Sequence, residues 1–293
     1  MLERLKANCI FHQMLKRHDI DKAYAMVGPE DSWYDTITTV HRCLDQIRQL
    51  PNERMHIVSH DGLKLEAVYY PAKENAATVI WVHGYTSHAE RESAFPGLFY
   101  HALGYNVLIP YLRAHGPSEG KYISFAALEA QDIRGWVQLL NRKNPGNPII
   151  LHGLSMGGGI VLQLADQPME NVCCLIADAP ADDLEVCFRS IAQRLSKKHV
   201  DQICVHIANR FQKEFHADMA HYRRLDHVSR CRYPLFLVAG SNENMDEPLK
   251  QLQAHCPTET QVLILPGCNH GNGMYKQTEL YQEALKKFIA KQL

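Results

Sequence analysis

Residues 148–167 read Pro148-Ile-Ile-Leu-His-Gly-Leu-Ser-Met-Gly-Gly-Gly-Ile-Val-Leu-Gln-Leu-Ala-Asp-Gln167. An apolar run enters, Gly153-Leu154-Ser155-Met156-Gly157 forms a G-x-S-x-G turn, and a stretch rich in small residues leaves at helical spacing. A short apolar run of this kind fits a buried strand. Strand, tight turn and helix together make the setting of a nucleophile elbow, in which a strained turn lifts a serine hydroxyl clear of a sheet. Glycine two before and two after removes side chains that would collide in such a turn. Ser155 is therefore the candidate nucleophile, weighed against a plain glycine-rich turn that starts a helix.

Short apolar runs recur on both sides of this stretch: Ala77–Val82, Asn106–Pro110, Pro148–Leu151, Val172–Ala177, Tyr233–Ala239 and Gln261–Leu265. Helical patterns such as Phe125–Arg142 and Tyr281–Leu293 separate most of them. Ahead of them, Met55–Ser59 and Leu63–Tyr70 flank Asp61-Gly62, which predicts two strands and a tight turn. Two antiparallel strands followed by βα alternation predict an α/β fold with a mostly parallel sheet covered on both faces. Residues 182–230 break the rhythm. Leu184, Phe188, Ile191 and Leu195 form one helical stripe, and Val200, Ile203, Ile207 and Phe211 form another, so a helical cap insertion is expected there. Trp33, Ile37, Val40, Leu44 and Ile47 form a further stripe between Ser32 and Leu50, with Ser32 and Asp35 as a capping pair and Pro51 as its end. The expected division is a helical segment 1–51 packed on the core, core segments 52–181 and 231–293, and the cap 182–230.

A nucleophilic serine needs a base, and the base needs an orienting acid. On this fold the order is Ser, acid, His, each in a loop after a strand. Val262–Leu265 leads into Pro266-Gly-Cys-Asn-His270, which makes His270 the candidate base. The preceding strand leads into Gly240-Ser-Asn-Glu-Asn-Met-Asp246, where Glu243 is favoured as the acid and Asp246 is the alternative. The oxyanion hole is expected from two backbone N–H groups, of Met156 and of Tyr85 in His83-Gly84-Tyr85-Thr86-Ser87. His83 is expected to brace its loop.

With these pieces in place, the sequence resembles the bacterial α/β-hydrolase-fold esterase group that also includes the BEM46-like proteins. The matching motifs are His83–Ser87, Gly104–Pro110, Leu112–Gly120, the elbow, Leu175–Pro180 and Pro266–His270. They span about residues 52–293, more loosely through the insertion. The resemblance implies a cofactor-free hydrolase of carboxylic esters or related acyl bonds, acting on a small-molecule acyl substrate. Two features depart from the pattern. Tyr111 and Ala114 stand where such sequences usually carry Asp and Gly, and Glu243 stands where they usually carry Asp three residues after a glycine. The competing readings are a silent binding module on the same fold, and an acyltransferase or peptidase using the same nucleophile.

Composition limits the other classes. The chain has 293 residues, 46% of them hydrophobic and 22% charged, with a formal net charge of -1. This gives no general attraction to nucleic acid. The first residues, Met-Leu-Glu-Arg-Leu-Lys, form no apolar signal core, and no uncharged run approaches the ~20 residues of a membrane span. Nine cysteines without a CxxC pair suit a reduced, cytoplasmic chain. Seventeen histidines include no HExxH spacing, and no metal site is expected. From Arg189 to Arg232, ten Lys or Arg face four acids. Such a cap can be a solvated face or a field that favours anionic substrates.

Overall fold

The computed structural model describes residues 1–19 and 33–293. Eight strands, β1 (Glu53–Val58), β2 (Lys64–Tyr70), β3 (Thr78–Val82), β4 (Asn106–Pro110), β5 (Ile149–Leu154), β6 (Val172–Asp178), β7 (Leu235–Gly240) and β8 (Thr260–Leu265), form one sheet. Their order is β1-β2-β4-β3-β5-β6-β7-β8. β2 runs antiparallel to β1 and β4, and the other pairs are parallel. The central strands are buried on both faces. This is why they read as continuous apolar runs rather than as alternation.

Each face of the sheet is covered by helices. The first two, α1 (Leu2–Leu15) and α2 (Ile37–Arg48), precede the sheet, and α3 (Ala89–Ala102) follows β3. Helices α4 (Glu129–Lys143) and α5 (Met156–Gln163) flank β5. Ile133, Trp136, Val137 and Leu140 of α4, with Ile160 and Val161 of α5, fill one side. Cys43, Leu44 and Ile47 of α2, with Ala94 and Tyr100 of α3, fill the other. Each large apolar side chain buried in this way stabilises by ~1.5–3 kcal/mol. The insertion carries α6 (Leu184–Leu195), α7 (Val200–Phe215) and α8 (Arg224–Val228). Helix α9 (Asp246–His255) follows β7, and α10 (Gly273–Lys276) and α11 (Thr278–Ile289) close the chain. No helix of the described residues is long and apolar enough to cross a membrane.

Three expectations differ from what is found. First, the two described helices before the sheet pack on different surfaces. Helix α2 lies on the core, whereas α1 lies on the insertion, where Ile10, Phe11 and Leu15 share a cluster with Phe188, Ile203, Ile207 and Phe211, and its end bonds Tyr122 and Ile123 of the core. Arg210 binds Asn8 Oδ1 at 2.6 Å and lies over the Phe11 ring. The reason is that the inward stripes of α6 and α7 leave an apolar groove that α1 fills. Second, the helix expected from Phe125 starts at Glu129, because Phe125 and Ala126 have φ of 51° and 91°. Third, the helix expected from Ser32 begins at Ile37 after a 3₁₀ turn at Tyr34–Thr36. Ser32, and with it the capping pair expected with Asp35, lies outside the described residues.

Candidate active site

Ser155 sits between β5 and α5 with φ 56° and ψ -115°. A β-carbon pays strain at such a φ, so the turn must be held from outside. The backbone does this: Ser155 N–H donates to Asp178 O at 2.8 Å, and Ala181 N–H donates to Ser155 O at 3.0 Å. The flanking glycines are sterically required. A Cβ on Gly157 would stand 1.9 Å from Val82 O, and one on Gly153 would stand 2.1 Å from Gly157 O.

His270 Nε2 lies 2.8 Å from Ser155 Oγ, and His270 Nδ1 lies 2.6 Å from Glu243 Oε2. An ionised carboxylate only accepts, so Nδ1 carries the proton and Nε2 is free to receive one from Ser155. Glu243 is turned toward His270 by a single 3₁₀ turn, Ser241–Glu243, and its other oxygen accepts the Gly240 N–H at 2.7 Å. The loops carrying acid and base are locked together. Asn242 N–H donates to Cys268 O, and Asn242 Nδ2 donates to Asn269 Oδ1. Trp33 Nε1 donates to the His270 carbonyl at 3.2 Å. Asp246 instead opens α9, half exposed, and binds Lys250 at 2.8 Å.

The Glu243 hydrogen bond is the largest influence on His270 and raises its pKa above the ordinary 6.5; the charges of Asp178 and Glu92 act in the same direction. Burial pushes both of those carboxyls up to about 7. Asp178 accepts the Tyr281 hydroxyl at 2.6 Å. Glu92 accepts the Gly84 N–H with both oxygens and Trp81 Nε1 with one, which fixes the loop before Tyr85. Sequence reasoning missed both carboxyls, because nothing in spacing says that Glu92 reaches back eight residues.

Met156 is the first residue of α5, where an N–H has no intrahelical acceptor. The Tyr85 backbone lies in the facing loop. The Tyr85 hydroxyl donates to Met14 O at 2.6 Å, which ties this loop to the end of α1. His83 is fully buried and bridges two loops: Nδ1 donates to Gly84 O, and Nε2 accepts the Leu112 N–H. Burial holds its pKa well below 6.5 and keeps it neutral.

The unusual loop residues have structural partners. Tyr111 donates to Glu90, which also pairs with Arg48. Ala114 takes φ 60°, the conformation that favours glycine. Arg113 is buried and binds Asp132 at 2.7 Å and Asp61 at 2.9 Å. Four of the ten basic side chains of the cap stretch are paired with acids. Arg189 pairs with Asp201, Arg223 with Glu185, Arg224 with Asp182 and Asp183, and Arg230 with Asp166. Four of these acids lie before residue 189, outside the stretch in which the charges were counted, so the local excess is smaller than that count gives.

Among solved structures, the chain is similar to a Pyrococcus furiosus esterase, Pf2001, with a TM-score of 0.65 and 22% identity over 86% of this chain and 95% of that one. That is the α/β-hydrolase fold. The Hydrolase_4 family model, described as serine aminopeptidase, S33, matches residues 73–213 of this α/β-hydrolase-fold chain. The uncharacterized protein YqkD of Bacillus subtilis is 31% identical over 142 residues, 48% of this chain and 46% of that protein. A monoacylglycerol lipase of Mycolicibacterium smegmatis is 30% identical over 122 residues, 39% of this chain and 41% of that protein. The matched segment spans about half the length of these curated relatives. Among the described residues, no group of three or more His, Cys, Asp or Glu side chains could hold a metal ion.

Proposed function

We propose that this chain is a serine hydrolase that cleaves carboxylic esters through an acyl-enzyme on Ser155, with His270 as base and Glu243 as orienting acid. The observation that carries the reading is the continuous hydrogen-bond line from Ser155 Oγ through His270 to Glu243. Ser155 Oγ attacks the acyl carbon while its proton passes to His270 Nε2. The carbonyl oxygen, now an oxyanion, meets the N–H groups of Tyr85 and Met156, each contributing ~3 kcal/mol in the transition state. The carbon–oxygen bond to the alcohol breaks as His270 returns the proton to the departing oxygen. Water, deprotonated by His270, then attacks the acyl carbon, releases the acid and restores Ser155. No step needs a cofactor.

The motifs from His83 to His270 support reading the chain as related to the BEM46-like esterases. Nine free cysteines fit a reducing, cytoplasmic setting. Ser155→Ala should abolish hydrolysis of p-nitrophenyl acetate, and turnover at the wild-type rate would refute the assignment. The family model's description favours one second reading, a peptidase using the same nucleophile. Faster turnover of an aminoacyl p-nitroanilide than of any aryl ester would support it.

A further inference from the structure

The loop that carries Tyr85 is strained. Thr86, the next residue, takes φ 49°, a conformation that a β-carbon resists and that must be held from outside. Among the described residues the Tyr85 N–H has no acceptor, which leaves it available to a substrate oxygen. Two anchors bracket the peptide that carries it. On one side, Glu92 accepts the Gly84 N–H. On the other, the Tyr85 side chain is fixed along its length. Its ring packs against Phe125, with centroids 5.0 Å apart, and edge-on against His18, at 5.5 Å. Its hydroxyl has two partners, Met14 O at 2.6 Å and His18 Nε2 at 3.0 Å. A carbonyl oxygen only accepts, so the hydroxyl gives its one proton to Met14 O, and His18 Nε2–H donates to the hydroxyl oxygen.

Resting on the ester-hydrolase reading, we infer that residues 14–18 are a positioning element of the oxyanion hole: through the Tyr85 hydroxyl they hold the Tyr85 N–H where the transition-state oxygen forms. The stretch is itself tied to the core. Leu15 O accepts the Ile123 N–H at 2.7 Å, and Arg17 N–H donates to Lys121 O at 2.9 Å, so the two segments pair as antiparallel chains around the Lys16–Tyr122 bridge. The Arg17 guanidinium donates to Ser118 O at 2.8 Å and to Gly116 O. Upstream, Phe11 and Leu15 are buried in the cluster with Phe188 and Phe211 of the insertion. Met14 O is therefore a fixed post and not part of a loose tail. An oxyanion hole works because its donors are already in place when charge develops. A donor misplaced by ~1 Å can cost about 10²-fold in rate. The post holds at any working pH, since burial pushes the Tyr85 hydroxyl up to about 12 and keeps its proton on.

Tyr85→Phe keeps the ring and its packing and removes only the hydroxyl. With p-nitrophenyl acetate it should lower kcat about tenfold or more and leave KM within about twofold, the split expected of an interaction made only in the transition state. The loss should be equal at every assay pH, with the His270 limb unmoved. The double variant Arg17→Ala/His18→Ala loosens the post from outside without touching Tyr85. It should cut kcat about threefold or more, and it should add nothing to Tyr85→Phe, because both act through the same bond. It decides the matter if Tyr85→Phe does not fold. A Tyr85→Phe kcat within twofold of wild type, a loss confined to KM, an unchanged kcat in Arg17→Ala/His18→Ala, or losses that multiply in the triple variant would overturn the positioning role. If wild type cleaves no ester and Ser155 takes no fluorophosphonate label, the ester-hydrolase reading itself fails, a result distinguishable from an active enzyme that is indifferent to Tyr85→Phe.

Discussion

Glu243→Gln replaces one carboxylate oxygen by an NH₂ group at almost unchanged shape. Both oxygens of Glu243 now accept, one from Gly240 N–H at 2.7 Å and one from His270 Nδ1 at 2.6 Å. Glutamine can serve only one of them. If its NH₂ faces Gly240, two donors oppose each other at a side chain only 8% exposed, which costs ~1–3 kcal/mol. If it faces His270, the imidazole can relieve the conflict by moving its proton to Nε2. The second arrangement is cheaper, and it removes the acceptor that Ser155 needs. Loss of the correct tautomer in such a triad costs ~10⁴ in kcat, about 5.4 kcal/mol at 1.36 kcal/mol per decade. The assay is kcat for p-nitrophenyl acetate in Glu243→Gln beside Asp246→Asn. The second variant loses only a half-exposed bond to Lys250 and should stay within about twofold of wild type. Glu243→Gln retaining more than a tenth of wild-type kcat, or Asp246→Asn losing as much as Glu243→Gln, would refute the reasoning.

Other consequences follow from the same geometry. Because Glu243 favours the charged imidazole and catalysis needs the neutral one, kcat/KM should rise with pH through an apparent pKa above 6.5. In the residual activity of Glu243→Gln that limb should move down, and a wild-type limb at or below 6.5 would contradict this. Gly157→Ala must separate β3 from α5, because its Cβ would sit 1.9 Å from Val82 O. Thermal unfolding should show a loss of ~3 kcal/mol or more, and an unchanged midpoint would contradict the packing. Ala114→Gly relieves a positive φ and should raise the midpoint by about 1–2 °C, the strain removed slightly outweighing the added freedom of the unfolded chain.

Much of the fold is legible from the sequence because its central strands are buried on both faces. The runs at Asn106–Pro110 and Pro148–Leu151 therefore stand out without any alternation. The elbow is legible for a related reason: its glycines answer to backbone atoms 1.9 and 2.1 Å from where a side chain would begin. The choice between Glu243 and Asp246 is not legible, since both follow the same strand within seven residues of Gly240. A 3₁₀ turn directs the first at His270, and the start of α9 directs the second at Lys250. The packing of α1 on the insertion is equally hidden, because an apolar helical stripe says that a surface is needed and not which one. The charge count over 189–232 is incomplete for a similar reason. Asp166, Asp182, Asp183 and Glu185 lie earlier in the chain yet neutralise the arginines that stand beside them. Phe125 and Ala126 read as helix because their composition suits one, while the contacts that bend them come from Glu129.

The central claim is that Ser155 becomes covalently acylated with the help of His270. Treatment with a fluorophosphonate followed by peptide mass mapping tests it most directly. The account predicts a single stoichiometric adduct on the peptide containing Ser155, formed at least a hundredfold more slowly in His270→Ala. No adduct, or an adduct on another residue that forms as fast in Ser155→Ala, would contradict it.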